Sequence, residues 1–473
     1  MSFHLLPLPI SGFPFTTIFG NDWKRKADAS HLYIRGSICL VVLSVALIAT
    51  LYGLFCLRYR ETQLLMNWFG FGFNGFGQIR TNEKLTDGES AGDANVTYPI
   101  SIDIVCRNLE EEPVQICQHN SNVDTQIRTS WSRRAALHSN SDGRLCLAGF
   151  GVGAPSQRGC GGCVEESRGC QDAHISEGYL ALSFTDRVEC WNSERNEKKP
   201  GWSMVIPDNT GPSLAFPLVP GGYIASNPPF YRPLSPQLLA VSLALGTEHA
   251  VLLTASGDIY TWGSGSHGQL GHGDLSPQEE PRAVEALMGM SMSTVAAGGW
   301  HSVCTSAGGD LYVWGWNESG QVGLPSRALR GEQQKSQDTG GASTCNDEES
   351  YDEVFISIQA FPALVDVTQS CEVSKISCGS RHTAAVTSTG DLYTWGWGEY
   401  GQLGQGTENS SDEPRRVEFF KDQGLRVVDV VCGPWNTFVS AIKEDSSLHP
   451  DTNILHRMET LPVGVEHKGQ CTD

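Results

Sequence analysis

Basic residues are scarce in this chain relative to acidic ones. Its 473 residues include 33 Lys and Arg against 53 Asp and Glu, which gives a formal net charge of -20 at pH 7. Proteins that bind nucleic acid electrostatically depend on Lys and Arg to displace counterions from phosphates. The composition therefore argues against direct nucleic-acid binding and favours a basic partner, although an acidic balance is also common in ordinary soluble proteins.

The cysteines lack the regular spacing of a disulfide framework. There are 15 of them, an odd and scattered set, whereas disulfide frameworks belong mainly to short secreted chains. Cys304, Cys378 and Cys432 lie inside apolar, strand-like runs, where a free thiol acts as a small hydrophobic group. The sequence therefore favours free thiols and a reducing compartment.

A phosphate-binding loop is also missing. The glycine-rich stretch "GFGFNGFG" at 70–77 does not end in Lys-Ser or Lys-Thr, and no helical pattern follows it. A nucleotide loop needs both features, because the lysine and the helix N-terminus bind the phosphates. The stretch must therefore belong to something else.

Long apolar runs are absent except at 36–57, where 22 residues carry no charge. About 20 apolar residues suffice for a membrane-spanning helix, and the flanking basic residues would leave the N-terminus cytosolic. That placement sends the rest of the chain into a lumen, where the sequons at Asn95, Asn317 and Asn409 would matter, but it conflicts with free thiols. The alternative is that residues 1–65 are an extension outside the working protein, with Met66 as a usable start.

Glycine and aromatic residues are plentiful, with 52 Gly, 12 Trp, 12 Tyr and 18 Phe, and they occur in repeats. Three stretches align, beginning at Leu245, Ala297 and Cys378. In each, a histidine is followed by a turn glycine and a tryptophan; the matched residues are His249, His301 and His382, and Trp262, Trp314 and Trp395. The second spacing is longer than the first because of a polar insertion at 327–353.

Each repeat is typical of two short strands joined by a tight turn and followed by a glycine-rich loop. Periods near 50 residues with several strands indicate propeller blades. The repeats are clear over 241–442 and degenerate over 98–235, where one copy keeps a turn glycine at Gly143 but has Ala135 in place of the histidine. We therefore predict an all-β fold, a closed β-propeller of seven blades, with six as the alternative.

The unit that starts at Val430 contains only the first half of a blade before the polar tail at 444–473. Its second half lies at the other end of the chain, because residues 71–79 match residues 395–403 position for position. Phe71 and Phe73 then correspond to Trp395 and Trp397. The sequence predicts a propeller over 66–443 whose closing strands, 66–79, join the C-terminal strands and seal the ring.

The repeated histidines and tryptophans are interpreted as structural, since a scaffold group is needed once per blade and a catalytic group once per site. Asn436 replaces the histidine in the last unit. One further cluster, Cys160, Cys163, Cys170 and His174, offers four ligands with one C-x-x-C pair and is a weak zinc candidate against the alternative of a cysteine-bearing loop. We expect no cofactor and no catalytic residue.

The units "GTEHAVLLTASGDIYTWG", "GGWHSVCTSAGGDLYVWG" and "GSRHTAAVTSTGDLYTWG" resemble those of the regulator-of-chromosome-condensation repeat family. The resemblance implies a seven-bladed propeller. Through one small member of that family, it also implies a monomeric, nuclear, chromosome-associated protein that binds a Jumonji-domain histone lysine demethylase and acts in chromatin regulation and chromosome segregation.

The family's founding member is also an exchange factor for a small GTPase, but no residue of this chain carries that activity over. Three functions therefore stay open. The first is a non-enzymatic scaffold for a chromatin enzyme or for histones. The second is an exchange factor that uses the insertion at 327–353, and the third is a membrane-anchored adaptor that uses residues 36–57.

Overall fold

A computed structural model gives the structure of the chain and describes most of the predicted propeller. The described residues are 66–79, 95–102, 125–138, 143–149, 163–193, 199–207, 214–327, 329, 354–368 and 371–443. The apolar run at 36–57, nearly all of the insertion at 327–353 and the tail at 444–473 lie outside them. Among the described residues, no helix is long and apolar enough to cross a bilayer.

The described chain is almost entirely β-structure. The first thirteen strands are β1 (Met66–Phe73), β2 (Asn95–Ser101), β3 (Thr125–Thr129), β4 (Arg133–His138), β5 (Arg144–Gly149), β6 (Cys163–Val164), β7 (Asp172–Ile175), β8 (Tyr179–Ser183), β9 (Arg187–Asn192), β10 (Trp202–Val205), β11 (Leu218–Val219), β12 (Gly222–Ile224) and β13 (Tyr231–Pro233).

The remaining strands fall mainly in the region of clear repeats. They are β14 (Ala240–Leu245), β15 (His249–Thr254), β16 (Ile259–Gly263), β17 (Gln278–Ala283), β18 (Met292–Ala297), β19 (His301–Ser306), β20 (Leu311–Trp316), β21 (Ile358–Val365), β22 (Val373–Cys378), β23 (His382–Thr387), β24 (Leu392–Gly396), β25 (Ser411–Arg416), β26 (Leu425–Cys432) and β27 (Asn436–Lys443). Helical segments are short: Glu165–Ser167, Pro236–Leu238, Glu285–Leu287 and Glu418–Asp422.

The strands form seven antiparallel sheets, which are the blades of a β-propeller. Blades 1 to 6 follow the chain: β3–β6, β7–β10, β11–β13, β14–β17, β18–β21 and β22–β25; blade 7 has the order β26, β27, β1, β2. Six blades have four strands and blade 3 has three. The prediction of an all-β, seven-bladed propeller is confirmed, and the six-blade alternative is wrong.

Tight turns follow from the glycines that the repeats share. In blade 4, Gly257 lies between β15 and β16 with φ of 85°, and Gly309 and Gly390 occupy the same turn in blades 5 and 6 with φ of 84° and 87°. Residues with a Cβ rarely adopt this left-handed conformation. The repeated glycine is therefore fixed by the hairpin that it closes.

Apolar side chains form one cluster at each junction between neighbouring blades. Blades 5 and 6, for example, share Val303, Val313, Val373 and Trp395, all buried, and the other six junctions have clusters of the same kind. The first strands of successive blades also pack against one another around the central axis. The core is therefore a ring of seven junctions.

Blade 7 is built from both ends of the described chain. Strand β1 pairs along its whole length with β27, from Met66 opposite Ile442 to Gly72 opposite Asn436, and β2 pairs with the other edge of β1. Strand β2 thus belongs to this blade rather than to the degenerate ones. That the ring depends on this sheet for its closure stays a prediction.

A candidate protein-interaction surface

The repeated histidines lie at the junctions between blades. His301 Nε2 is 2.9 Å from the Thr383 hydroxyl of the next blade. That hydroxyl donates to the Gln321 carbonyl at 2.7 Å, and Trp395 Nε1 donates to the same carbonyl at 3.1 Å. The hydroxyl proton is thereby committed to the carbonyl, so His301 Nε2 must carry the proton of its own bond.

This inter-blade chain of hydrogen bonds recurs at two more junctions. Blades 4 and 5 use His249, Ser302, Gln269 and Trp314; blades 6 and 7 use His382, Thr437 and Gln402. In the last case Phe71, fully buried, takes the place of the tryptophan and brings no donor. At these three junctions the hydrogen bonds anchor the glycine-rich loop of one blade to the next blade.

Burial keeps these imidazoles neutral. It lowers the pKa of His249 to about 4 and the pKa values of His301 and His382 to about 3, because a charged ring without water is costly. For His301, the two neighbouring histidines lower the pKa further. Neutral, buried rings that bond to hydroxyl groups position loops, and the geometry gives them no access to a substrate.

Register identifies the equivalent residue in every well-aligned blade. His249, His301 and His382 each pair with a glycine of the third strand, and Asn436 pairs with Gly72 in the same way. In blade 1 the residue at this position is Arg133, opposite Gly149, and Ala135 faces Leu147. The sequence alignment that placed Ala135 there is wrong, because the turn between β4 and β5 is longer than in the clear repeats.

The junction between blades 3 and 4 has a weaker version of the inter-blade hydrogen bonds. Trp262 Nε1 donates at 3.3 Å to the Tyr223 hydroxyl instead of to a glutamine carbonyl. The two rings meet edge to face with centroids 5.8 Å apart. A side chain here replaces the loop carbonyl, which agrees with the lower regularity of the sequence before residue 240.

The candidate zinc ligands are only partly described. The Cys170 thiol is buried, donates to the Asp172 carbonyl and has its pKa raised to about 12 by burial; His174 Nε2 bonds to the Ser226 hydroxyl at 2.8 Å. Cys160 and the Cys163 side chain lie outside the described part of the chain. Within that part, no three ligand residues are close enough to hold a metal ion, so the four-residue set stays a prediction.

The expectation of free thiols holds for Cys304, Cys378 and Cys432, which are unbonded. Cys146 is an exception, because it is disulfide-bonded. The sequon residue Asn317 is buried and bonds through its side chain to three backbone groups. The folded propeller therefore leaves that sequon inaccessible.

One face of the propeller carries a continuous set of aromatic side chains. They come from the turns between first and second strands and from the loops after third strands, which emerge on the same side of antiparallel blades. We call this set, together with one arginine, the aromatic face; its members are His267, Trp300, Trp316, Arg381, Trp397, Tyr400, Trp435, Trp131, Phe73 and Phe76.

The rings of the aromatic face form two groups of contacting side chains, and the guanidinium of Arg381 lies between them. At one end Trp300 and Trp316 meet edge to face at 5.6 Å between centroids. At the other, Trp397 contacts Trp435 at 4.8 Å, and Trp435 contacts Trp131 at 5.6 Å. Most of these side chains are half-buried, and Trp131 is 48% exposed. Edge-to-face pairs fix ring orientation, so this surface is ordered before any partner arrives.

The backbone beneath the aromatic face is hydrogen-bonded from blade to blade. Gly299 N donates to the Ser380 carbonyl at 3.3 Å, and Ser380 N donates to the Pro434 carbonyl at 3.1 Å. These bonds join the turns that carry Trp300, Arg381 and Trp435. The three side chains therefore stand on one rigid platform.

Exposed acidic side chains lie in the same turns and loops as the aromatic rings. Glu248, Glu318 and Glu399 are exposed and belong to the same turns and loops. Aromatic and arginine side chains are enriched at the centres of protein interfaces, with polar residues around them. The arrangement is suited to binding another protein.

Sequence reasoning singled out the repeated histidines and missed the aromatic face. A signal was present in blades 5, 6 and 7: the residue before the repeated histidine or its substitute is Trp300, Arg381 or Trp435. In the same blades a second aromatic follows the Trp-Gly or Phe-Gly step, at Trp316, Trp397 and Phe73. Only the antiparallel topology shows that these positions share one face.

Comparisons with known proteins agree with the fold. The regulator of chromosome condensation (RCC1) repeat model matches residues 256–305, 308–386 and 389–440. The chain is 42% identical over 413 residues to human RCC1 domain-containing protein 1, covering 80% of this chain and 98% of that protein. It is 39% identical over 409 residues to the mouse protein of the same name, with the same coverage.

Among solved structures, Prp20p from Saccharomyces cerevisiae matches with a TM-score of 0.57 at 17% identity, covering 85% of this chain and 96% of that one. At that identity the likeness concerns the fold alone. The human and mouse relatives carry the stronger conclusion, because their identity extends over nearly their whole length. The chain therefore belongs to the regulator-of-chromosome-condensation repeat family.

Proposed function

We propose that this protein is a non-enzymatic scaffold whose aromatic face captures a chromatin-modifying enzyme, a Jumonji-domain histone lysine demethylase. The observation that carries the proposal is a pair of ring clusters, from His267 to Trp316 and from Trp397 to Trp131, which the guanidinium of Arg381 joins on hydrogen-bonded turns. Such a surface loses little side-chain entropy on binding, because its rings are already held in place. Family resemblance supplies the class of partner.

Charge supports a partner with basic regions. The net charge of -20 attracts basic proteins at long range, and the exposed Glu248, Glu318 and Glu399 lie in the turns and loops of the aromatic face itself. Histones are candidates by the same reasoning, and the structural work on Prp20p also concerns its binding to histones. We place this protein in the nucleus, associated with chromosomes and acting in chromatin regulation and segregation.

A small-GTPase exchange factor is the second candidate. It is favoured by the likeness in fold to Prp20p, whose structural work also concerns binding to Gsp1p. The insertion at 327–353 would then have to displace nucleotide. A fluorescent-nucleotide release assay with a purified small nuclear GTPase separates the two candidates, since a scaffold leaves the release rate unchanged.

The test of the scaffold is a pull-down of a purified Jumonji-domain demethylase by the full chain at low and at physiological salt. We expect capture at both, weaker at higher salt because exposed charges are screened. The variant Trp131→Glu places a charge on an exposed part of the aromatic face and should reduce capture. If the demethylase is captured at neither salt concentration, the proposal is rejected.

The compartment is tested separately. A single-pass membrane protein anchored through residues 36–57 would expose Asn95 and Asn409 to glycosylation, whereas Asn317 is buried. We expect the protein from cells to show no mass shift on endoglycosidase treatment. A shift that disappears in the Asn409→Gln variant would favour the membrane-anchored adaptor.

A further inference from the structure

Arg381 occupies the middle of the aromatic face. Its guanidinium carbon lies 4.6 Å from the ring centroid of Trp316 and 5.8 Å from that of Trp397. Among the described arginines it alone lies over two indole rings. Stacking of this kind holds the guanidinium plane in one orientation.

The charge of Arg381 is not compensated within the described structure. No described carboxylate lies within 4.0 Å of it, and its Nε is buried without a hydrogen-bond partner. By contrast, Arg416 pairs with both Asp391 and Glu418. In a chain with 53 acidic residues, this half-buried arginine has no acidic partner among the described residues, which leaves its charge available to a partner.

The backbone fixes where this side chain stands. The Arg381 carbonyl accepts from Trp397 N at 2.8 Å, and the next residue, His382, bonds to Thr437 in blade 7. The arginine and the tryptophan beside it are therefore held by the same two blades. The remaining guanidinium N–H groups have to be satisfied from outside the described chain.

We propose that Arg381 is the recognition point for a carboxylate, the side chain of an Asp or Glu in a partner peptide that has apolar neighbours. The guanidinium offers two parallel donors to a carboxylate, while the rings of Trp316 and Trp397 cover the apolar neighbours. This inference deepens the proposed function, because it places a specific contact on the same aromatic face.

The charges around Arg381 indicate what flanks that carboxylate. Glu248 stands in blade 4 where Arg381 stands in blade 6, and Glu318 and Glu399 follow the two stacking tryptophans. A peptide whose central carboxylate is flanked by apolar and then by basic residues complements this pattern. A dianionic phosphate fits it less well, since the surrounding acids repel the second charge.

The test uses the full chain and three amidated peptides that differ at one central position between two phenylalanines: aspartate, asparagine and phosphoserine. Tryptophan fluorescence or calorimetry measures their affinities. Charge-assisted hydrogen bonds predict that the aspartate peptide binds about tenfold more tightly than the asparagine peptide. In Arg381→Gln that ratio should fall to about one, and Arg381→Lys should be intermediate because it lacks the planar fork.

The matched control is Arg232→Gln, an exposed arginine of blade 3, which should keep the wild-type ratio. Equal affinity of wild type for the aspartate and asparagine peptides, or binding of neither, would overturn the inference. Tighter binding of the phosphoserine peptide than of the aspartate peptide would also contradict it.

The same variants separate this inference from the proposed function. If the demethylase binds wild type and Arg381→Gln equally, the carboxylate contact is wrong while the scaffold stands. If the demethylase does not bind but the peptide ratio depends on Arg381, the choice of partner is wrong and the recognition point stands.

Discussion

At the scale of single residues, the histidine of blades 4, 5 and 6 shows how a repeated polar group is kept inside a propeller. Each ring is buried, neutral and bonded to a hydroxyl of the next blade. The cost of burying it is offset by a hydrogen bond that only the assembled ring provides. The residue therefore links the stability of one blade to the presence of its neighbour.

Acid should destabilise the propeller through these rings. An unfolded histidine titrates near 6.5, whereas burial lowers the pKa of His301 to about 3. Below pH 6.5 the unfolded state thus binds more protons, and the free energy of unfolding falls as pH decreases, by up to about 1.4 kcal/mol per pH unit for each such histidine.

Urea unfolding between pH 7.5 and 5 measures this slope while most carboxylates stay ionised. His301→Asn should have a shallower slope, since blade 7 already accommodates Asn436 at the equivalent position. A slope that is identical in the variant and in wild type would show that His301 does not contribute to it.

Removing one hydroxyl tests the inter-blade chain directly. Thr383→Val keeps the shape of the side chain but leaves His301 Nε2 without its partner. We expect a loss of about 1 to 3 kcal/mol in the free energy of unfolding. Thr407→Val, at an exposed loop position, is the control and should change stability little.

Sequence alone gave the positions of the repeated residues but not their partners. Phe71 could be matched with Trp395 because the flanking glycines are also matched, and blade 7 shows the corresponding register. Arg133 could not be found, since a longer turn displaced the alignment. Arg381 occupies the repeat position before the histidine, where blades 5 and 7 have Trp300 and Trp435. Its role could not be predicted from that position, because it depends on two rings from other parts of the chain.

At the scale of elements, strand β1 carries the highest density of large buried side chains. Phe71 is fully buried, whereas Phe76 at the end of the same segment is half-buried. Truncating a buried phenylalanine to alanine costs about 3 to 5 kcal/mol, a large part of a typical total of about 5 to 15 kcal/mol.

We therefore expect Phe71→Ala to lower the melting temperature far more than Phe76→Ala, and deletion of residues 66–79 to abolish a cooperative transition. Calorimetry of the three variants checks this order. An unchanged cooperative melt after the deletion would refute closure by the terminal strands.

The insertion at 327–353 should be dispensable for folding. Hydrogen bonds join the described residues on its two sides. The Asn317 side chain donates to the Leu324 and Ile356 carbonyls, and Ile356 N donates to the Pro325 carbonyl. Replacing residues 330–353 by a short Gly-Ser linker should leave the melting temperature unchanged and weaken capture of the demethylase. Asn317→Ala should lower the melting temperature instead.

The strands could be predicted where the sequence repeats are regularly spaced, and not elsewhere. The hairpins of blades 4 to 6 follow from the spacing of histidine, glycine and tryptophan. Blade 3 has only three strands, each of two or three residues, and strands this short show no measurable periodicity. The assignment of β2 to blade 7 depended on pairing between distant segments.

At the scale of the whole molecule, the seven blades make a scaffold whose two faces differ. On one side lies the aromatic face with its hydrogen-bonded turns, and on the other side lie the tight turns around Gly257, Gly309 and Gly390. A single ordered surface on a rigid ring agrees with a role in assembling other proteins. The central claim is that this face, and not the opposite one, binds the partner.

The most direct test is the dissociation constant of the full chain for a purified Jumonji-domain demethylase, measured by calorimetry for wild type and for one variant on each face. Trp131→Glu alters the aromatic face, and Met288→Glu alters an exposed residue between blades 4 and 5 on the opposite side. We predict that Trp131→Glu weakens binding at least about tenfold, the effect of losing one interface contact, and that Met288→Glu leaves it unchanged. Equal affinity of Trp131→Glu and wild type, or a loss confined to Met288→Glu, would contradict the account.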